Sequence, residues 1–541
     1  MKISRRKLLQ TAGGTAAVAL LGDSLVNADK SISRSAETLS IVGNEIKDGN
    51  VIPLSEEWLQ HTYLMDLDYN PIQNVLDIAG PGKLSTALPN KAFAVAAKLN
   101  VPGFGICYVY ADNGGKGYDP EKVRDIDLNR ALVQSRLDKV HLAKKKAESS
   151  GIVFSRALDT LLESATTRFK SATSTVGSEP ECEPLMQCLA DSLLAGEMLA
   201  VERAKQRIAK SEPREDFLFG CNAFRALDAG EDYTKAFYKL FNYCTHGVYW
   251  SGFERERGNP YYGLLDLYIN WAAPGKLKSK GHPLVWANTS VLPEWLTEDD
   301  IKFENYSKLC ASRVKDMVSR YKGRVDIWDV INEAHDWLVA HGYTYEQMLE
   351  LTDIACTEAG KANPATTRIV NNTLMWGEYT APKPGQPVDS PTKHTPHQYV
   401  RDLLSRGVDL DVVGIQLYYP ERDMFEIDLM LERFAQFGLP IHITELGVPS
   451  ATTIDEESLV KHPYGLWHEP WSEKVQADWM EQFYTIAYSK PYIKAISWWD
   501  FVDIGHFWPH GGWLTPDLKQ KKICGRFDEM LNQWRVRKQD G

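Results

Sequence analysis

RVDIWDVINEAHD, residues 324–336, is apolar and β-branched from 325 to 331 and turns polar at Asn332 and Glu333. A short run of this kind reads as a buried strand whose carboxyl end opens into a loop. LPIHITELGVPS, residues 439–450, repeats the pattern and sets Glu445 at the end of its strand, 441–444. Moving outward, strand-like runs recur at FLFGCNAF (217–224), NYCTHGVYW (242–250), HPLVWAN (282–288), RIVNNT (368–373), DVVGIQLY (411–418) and AISWWDF (495–501). The segments between them, such as 296–321, carry apolar residues at helical spacing. Eight strand–helix alternations predict a (β/α)8 TIM barrel, an α/β fold whose catalytic residues lie at the carboxyl ends of strands.

Glu333 then follows the fourth strand and Glu445 ends the seventh, so both are expected to face one cleft. Two carboxylates from separate strand ends are what glycoside hydrolysis needs. One protonates the leaving oxygen, and the other attacks or activates water. A surface glutamate after a strand is the plain alternative for either. Trp328, Asp329 and Asn332 beside Glu333 weigh against it there.

WDVINEA (328–334) followed by ITEL (443–446), with GHPLVW (281–286) upstream and SWWDF (497–501) downstream, resembles glycoside hydrolase family 10, the endo-β-1,4-xylanase family. The resemblance runs from roughly Phe217 to the C-terminus. It implies that Glu333 is the acid/base and Glu445 the nucleophile of a retaining endo-β-1,4-glycanase, an endo-1,4-β-xylanase acting on xylan. Asn332 is placed to hydrogen-bond the sugar 2-hydroxyl, while Thr444 and Gln416 are placed to orient the nucleophile. His282 and Trp286 match positions that contact the sugar nearest the scissile bond. Trp499 and Trp508 match the tryptophans around the glycone site, with Phe507 as the alternative to Trp508. Arg324 and His335 are expected to support the acid.

The departures from the family pattern are equally specific. Where the second strand normally ends in a Glu-Asn…Lys-Trp set that grips the glycone sugars, this chain has THGVYW, 245–250. Tyr418 replaces the usual His two residues after Gln416, Gly447 replaces the Asp two residues after the nucleophile, and Ala287 replaces a His. The joint loss of that His and Asp reads as one remodelling, in which the Tyr418 hydroxyl serves as the donor. The reaction is therefore better specified than the substrate. Two alternatives remain: a retaining glycosidase on another β-linked glycan or oligosaccharide, and a polysaccharide-binding protein without turnover. Retention of Asn332, Glu333, Gln416 and Glu445 argues against the second.

Composition narrows the partners. A net charge of −11 disfavours nucleic acid and anionic membranes and leaves a neutral polysaccharide unaffected. Sixteen Trp, in a chain that is 11% aromatic, supply rings for a sugar cleft as well as for a core. GFGICYVYADNGG, 103–115, lacks the strand–GxGxxG–helix frame, and no cofactor or metal is expected. Eight cysteines show no zinc spacing and read as buried hydrophobes rather than a disulfide scaffold, with Cys182 and Cys188 as the close pair.

SRRKLL (4–9), the apolar 11–21 and the small-residue site ending at Ala28 resemble a twin-arginine export signal, an ordinary Sec signal being the alternative. The apolar run is too short for a membrane span. A periplasmic or secreted monomer is expected. Residues 29–50 read as a linker. Residues 51–210 form an accessory region, β-rich to about 120 and then helical: a helix after Asp127, its cap, with Val133, Leu137 and Val140 at helical spacing, a second near 152–170 and a third over 185–210. SATSTVGSEPECEP, 171–184, is expected as a loop. A packing module and a carbohydrate-binding module are both open readings for this region, and the catalytic barrel occupies 216–541.

Overall fold

The computed structural model describes residues 38–172, 179–335, 339–385 and 393–534. Residues 1–28, read from the sequence as an export signal, lie outside the described residues. Eight strands close into a barrel in chain order: β1 (Leu218–Asn222), β2 (Tyr243–Gly247), β3 (Lys278–His282), β4 (Ile327–Asn332), β5 (Thr367–Asn372), β6 (Val412–Tyr418), β7 (Ile441–Gly447) and β8 (Ile493–Trp498). Every neighbouring pair is parallel, and β8 closes on β1. Helices connect the strands and bury their apolar stripes on the barrel. Their starts are set by local chemistry: Thr344 and Thr395 form capping boxes with Gln347 and Gln398, and the Asp423 carboxylate accepts two N–H groups at the start of Met424–Ala435.

The third strand differs from the expected one. HPLVWAN lies beyond it, and the strand is KSKGH, Lys278–His282. Two lysines hide it from any hydropathy reading. Lys280 is fully buried, its Nζ 2.8 Å from Asp329 Oδ2 on β4. Only an opposite charge makes such burial tolerable.

Among the described residues, two four-stranded sheets, a two-stranded sheet (Asn44–Lys47 with Asn50–Pro53), one short helix (Glu56–Leu59) and three longer helices build the region before the barrel. One four-stranded sheet orders Asp77–Gly80, Lys83–Ala87, Thr38–Val42 and Asp125–Asp127. The linker expected to run to residue 50 is therefore structured from Thr38, which pairs antiparallel with Ala87. Only Leu39 and Ile41 of TLSIV are fully buried, an alternation too brief to stand out in sequence. The other four-stranded sheet orders Tyr63–Met65, Ala94–Val101, Gly105–Ala111 and Leu466–Trp467, the last contributed by the loop after β7.

The longer helices are Leu128–Ser149, Arg156–Ser171 and Glu179–Lys210. Asp127 caps the first, and its Val133, Leu137 and Val140 are buried. The third begins inside the stretch expected as a loop. Pro184 suggests a break there, and it sits inside the helix past its first turn, where it forgoes one backbone hydrogen bond without ending the helix. By length and composition this helix is apolar enough to cross a bilayer, but most of it is buried inside the protein.

Buried ion pairs join this region to the barrel helix Met424–Ala435. Arg136 lies 2.6 Å from Asp423 and 3.4 Å from Glu426, with its guanidinium over the Phe425 ring. Gly196 leaves the space that Arg136 occupies. Arg203 pairs with Asp428, and Arg422 lies over the ring of Tyr108 and donates to the Tyr110 hydroxyl at 2.7 Å. The N-terminal region is thus packed onto the barrel through buried ion pairs. All eight cysteines are free and buried, Cys182 and Cys188 included.

Candidate active site

The carboxyl ends of β4 to β7 bring the sequence-predicted polar residues together. Glu333 follows β4 with φ at +50°, and its N–H donates to the Asn371 carbonyl at 3.0 Å. A non-glycine residue held in the left-handed region costs roughly 1–3 kcal/mol and persists where its surroundings fix it. From this position the carboxylate accepts from Gln416 Nε2 at 2.8 Å. Gln416 also lies 3.3 Å from Asn332 Oδ1. Asn371 Nδ2 donates both to Asn332 Oδ1 at 2.7 Å and to Glu445 Oε1 at 2.9 Å, while its own oxygen accepts from the Thr444 hydroxyl. One hydrogen-bonded chain therefore links the two carboxylates.

Asn371 was not singled out by sequence reasoning. Its signal is the polar pair Asn371-Asn372 ending an apolar strand, the same feature that marks Glu333 and Glu445.

Glu445 is buried on β7. Burial pushes its carboxyl up to about 7; the facing imidazole of His282 lowers it, the Glu333 carboxylate raises it, and the hydrogen bond from Tyr418 lowers it. The Tyr418 hydroxyl lies 2.7 Å from Glu445 Oε2. Gly447 makes that geometry possible, since a Cβ there would press on the Tyr418 ring at 3.2 Å.

His282 Nε2 faces Glu445 Oε1 at 3.8 Å, and its Nδ1 lies 2.7 Å from Asp329 Oδ2. Burial alone would raise the Asp329 carboxyl, but Lys280 and His282 hold it below the usual carboxylate range. An ionised Asp329 fixes the Nδ1–H form of His282 and leaves Nε2 turned to the cleft.

Aromatic rings wall the site. Trp499 meets His282 edge-on at 5.1 Å and Phe224 at 5.4 Å. Tyr249 stands 5.6 Å from the His282 ring and 6.2 Å from Trp286. Both active-site glutamates press the Tyr249 phenol upward after burial has done so. Trp508 stacks on Tyr418 at 5.2 Å, and Phe507 packs against the same ring at 4.8 Å. Asp500 fixes both by accepting the N–H groups of Phe507 and Trp508 at 3.1 and 2.9 Å.

Two expectations need correction. Arg324 precedes β4 at the opposite end of the barrel and pairs with Asp266 at 2.9 Å on the surface, so it does not support the acid. His335 has its ring nitrogens engaged by the Tyr379 hydroxyl at 2.7 Å and the Thr373 N–H at 3.4 Å. In the β2 stretch, His246 turns into the barrel toward Ser279, and Tyr249 is the residue that reaches the cleft. Among the described residues, no group of three His, Cys, Asp or Glu side chains is arranged to hold a metal ion.

Comparison with known proteins places this geometry. The family model described as glycosyl hydrolase family 10 matches residues 210–524. Endo-1,4-beta-xylanase B of Thermotoga neapolitana is 28% identical over 295 residues, covering 52% of this chain and 76% of that protein. Endo-1,4-beta-xylanase 1 of Arabidopsis thaliana is 24% identical over 295 residues, covering 54% of this chain but only 28% of that longer protein. Among solved structures, native xylanase 10B from Thermotoga maritima is 23% identical, with a TM-score of 0.48 over 62% of this chain and 98% of that one.

Proposed function

The chain belongs to glycosyl hydrolase family 10 and is a glycoside hydrolase, and from that premise we propose that it is a retaining endo-1,4-β-xylanase. The observation that carries the reading is the hydrogen-bonded chain Glu333–Gln416–Asn332–Asn371–Glu445 at the carboxyl ends of β4 to β7. In the first step the Glu445 carboxylate attacks the anomeric carbon as Glu333 gives its proton to the departing glycosidic oxygen. In the second, Glu333 takes a proton from water, which attacks the same carbon and frees Glu445. Asn371, Tyr418 and His282 converge on Glu445, where negative charge is consumed and regenerated.

Retention is the test. Proton NMR of xylo-oligosaccharide hydrolysis is expected to show the β-anomer first. An initial α-anomer would overturn the mechanism.

A second reading, a β-linked glycan other than xylan, is favoured by one feature. The β2 end offers Tyr249 where the family pattern has polar gripping residues. Product analysis over a panel of β-glycans separates the two. Export through the twin-arginine-type segment 1–28 is part of the proposal, supported by SRRKLL and by eight buried thiols that need no oxidising compartment to fold. Signal-peptide fusion to a reporter in a twin-arginine-deficient host tests it.

A further inference from the structure

The loop after β7, residues 448–472, is held from two sides. On one side it is zipped to the loop after β8. The N–H groups of Leu459 and Val460 donate to the His506 and Phe507 carbonyls, the Ser458 hydroxyl donates to Phe507, and Asp455 accepts from His506 and from the His510 N–H. On the other side its Leu466–Trp467 pairs antiparallel with Gly105–Ile106 of the N-terminal sheet. Gly105, at φ +131°, has no room for a Cβ, which would collide with the Leu466 carbonyl. The His468 N–H donates to the Phe104 carbonyl at 2.7 Å.

Buried Glu197, on the helix Glu179–Lys210, completes the attachment. It accepts from Trp467 Nε1 at 3.0 Å, from the Met424 N–H at 3.0 Å, and lies 2.6 Å from His468 Nε2.

Two residues before that strand, Tyr464 presents a half-exposed ring, 49% accessible, 5.6 Å from Trp508. Trp508 in turn stacks on Tyr418, whose hydroxyl bonds Glu445. A ladder of rings therefore leads outward from the nucleophile and ends on an accessible tyrosine. Such a ring offers an apolar face to the C–H face of a pyranose and a hydroxyl to its rim. Most large aromatic side chains around it are buried; this one is left open at the end of the ladder.

We propose that the N-terminal region acts as a brace that holds the β7 loop, so that Tyr464 forms a distal sugar-stacking subsite for the β-1,4-linked chain. The proposal rests on the β-glycanase reading and deepens it. It gives the accessory region a role in substrate binding without a binding site of its own.

The experiment compares kcat/KM for xylohexaose with that for an aryl β-xylobioside, which is too short to reach beyond the reacting sugars. Tyr464→Ala is expected to lower the ratio of the two roughly three- to tenfold, the worth of one aromatic contact. Tyr464→Phe should restore it. Gly105→Ala and Glu197→Gln, which disturb the brace and leave Tyr464 intact, should lower the ratio in the same sense. An unchanged ratio in Tyr464→Ala overturns the subsite, and an unchanged ratio in folded Gly105→Ala and in Glu197→Gln overturns the brace. If Gly105→Ala fails to fold, Glu197→Gln alone decides. Failure of the wild type to cleave xylo-oligosaccharides would overturn the substrate reading separately. The subsite is then judged by the same ratio on the β-glycan series that is cleaved.

Discussion

Tyr418 and Glu445 are joined by a 2.7 Å hydrogen bond across β6 and β7, and the residue opposite Tyr418 in that pairing is Gly447. The phenol stands where the family pattern has a His, over the space where it has an Asp. One residue thus replaces a pair. Tyr418→Phe keeps the ring and its stacking on Trp508 and removes only the donor. Losing a hydrogen bond to a charged group costs about 1.5–3 kcal/mol, so kcat/KM should fall by about one to two orders of magnitude. The acidic limb should also move to higher pH, since the lost bond favoured the carboxylate. Near-wild-type kinetics with an unmoved limb would reduce Tyr418 to a space-filler.

The two glutamates should separate by substrate. Glu445→Ala is expected to abolish turnover on every substrate, because no other group forms the covalent intermediate. Glu333→Ala should spare aryl glycosides whose leaving groups need little protonation, and azide should rescue its second step. Equal losses on activated and unactivated substrates in both variants would refute this division.

The pH profile follows from the same pair. Glu445 must be ionised to attack, and its carboxyl is pushed up to about 7 by burial and by Glu333. For the free enzyme, kcat/KM should therefore fall as pH drops through about 7. Glu333→Gln removes one cause of the upward shift and should move that limb to lower pH, measured on an activated aryl glycoside.

Stability should carry the opposite sign of dependence. A carboxyl whose folded value is raised contributes stability that is complete below its unfolded value, near 4.5, and is lost as pH rises through the folded value of about 7. Glu445→Gln removes this loss. The variant should exceed the wild type by roughly 3 kcal/mol at pH 8 and by little at pH 4. Urea melts at the two pH values check it, and a pH-independent difference would count against the buried-charge account.

Lys280 is the other buried charge whose removal has a clear sign. Lys280→Met leaves Asp329 facing His282 alone in the barrel interior. Breaking a buried pair from one side costs about 3–5 kcal/mol, so a large drop in the urea midpoint is expected. Loss of kcat/KM should accompany it, as His282 loses its fixed orientation. A midpoint within experimental error of the wild type would show that the histidine carries the charge unaided.

The barrel was legible because seven of its strands overlap the strand-like runs visible in the sequence, RVDIWDVINEAHD among them. The third escaped because Lys280 and Asp329 neutralise each other across β3 and β4, and periodicity cannot see a partner on another strand. The site was legible where residue type alone announces chemistry: Glu333, Glu445, Asn332 and Gln416. Asn371 and Asp500 were missed because their roles come from what they hold, which only the fold brings near. Arg324 was misplaced for a related reason. The six residues of Ile327–Asn332 carry the chain from one end of the barrel to the other, and nearness in sequence hides that distance.

The family match begins at residue 210, and a protein engineer would be tempted to cut there. The cut would keep every group of the active site and remove Arg136 and Arg203. Asp423 and Glu426 would then lie on an open helix face without the guanidinium that neutralises them, beside an uncovered Phe425. The edge of homology is therefore not a seam in the solid. Shortened versions of this enzyme should be designed by trimming loops, with the two four-stranded N-terminal sheets and the helices Leu128–Ser149 and Glu179–Lys210 treated as part of the barrel's outer wall.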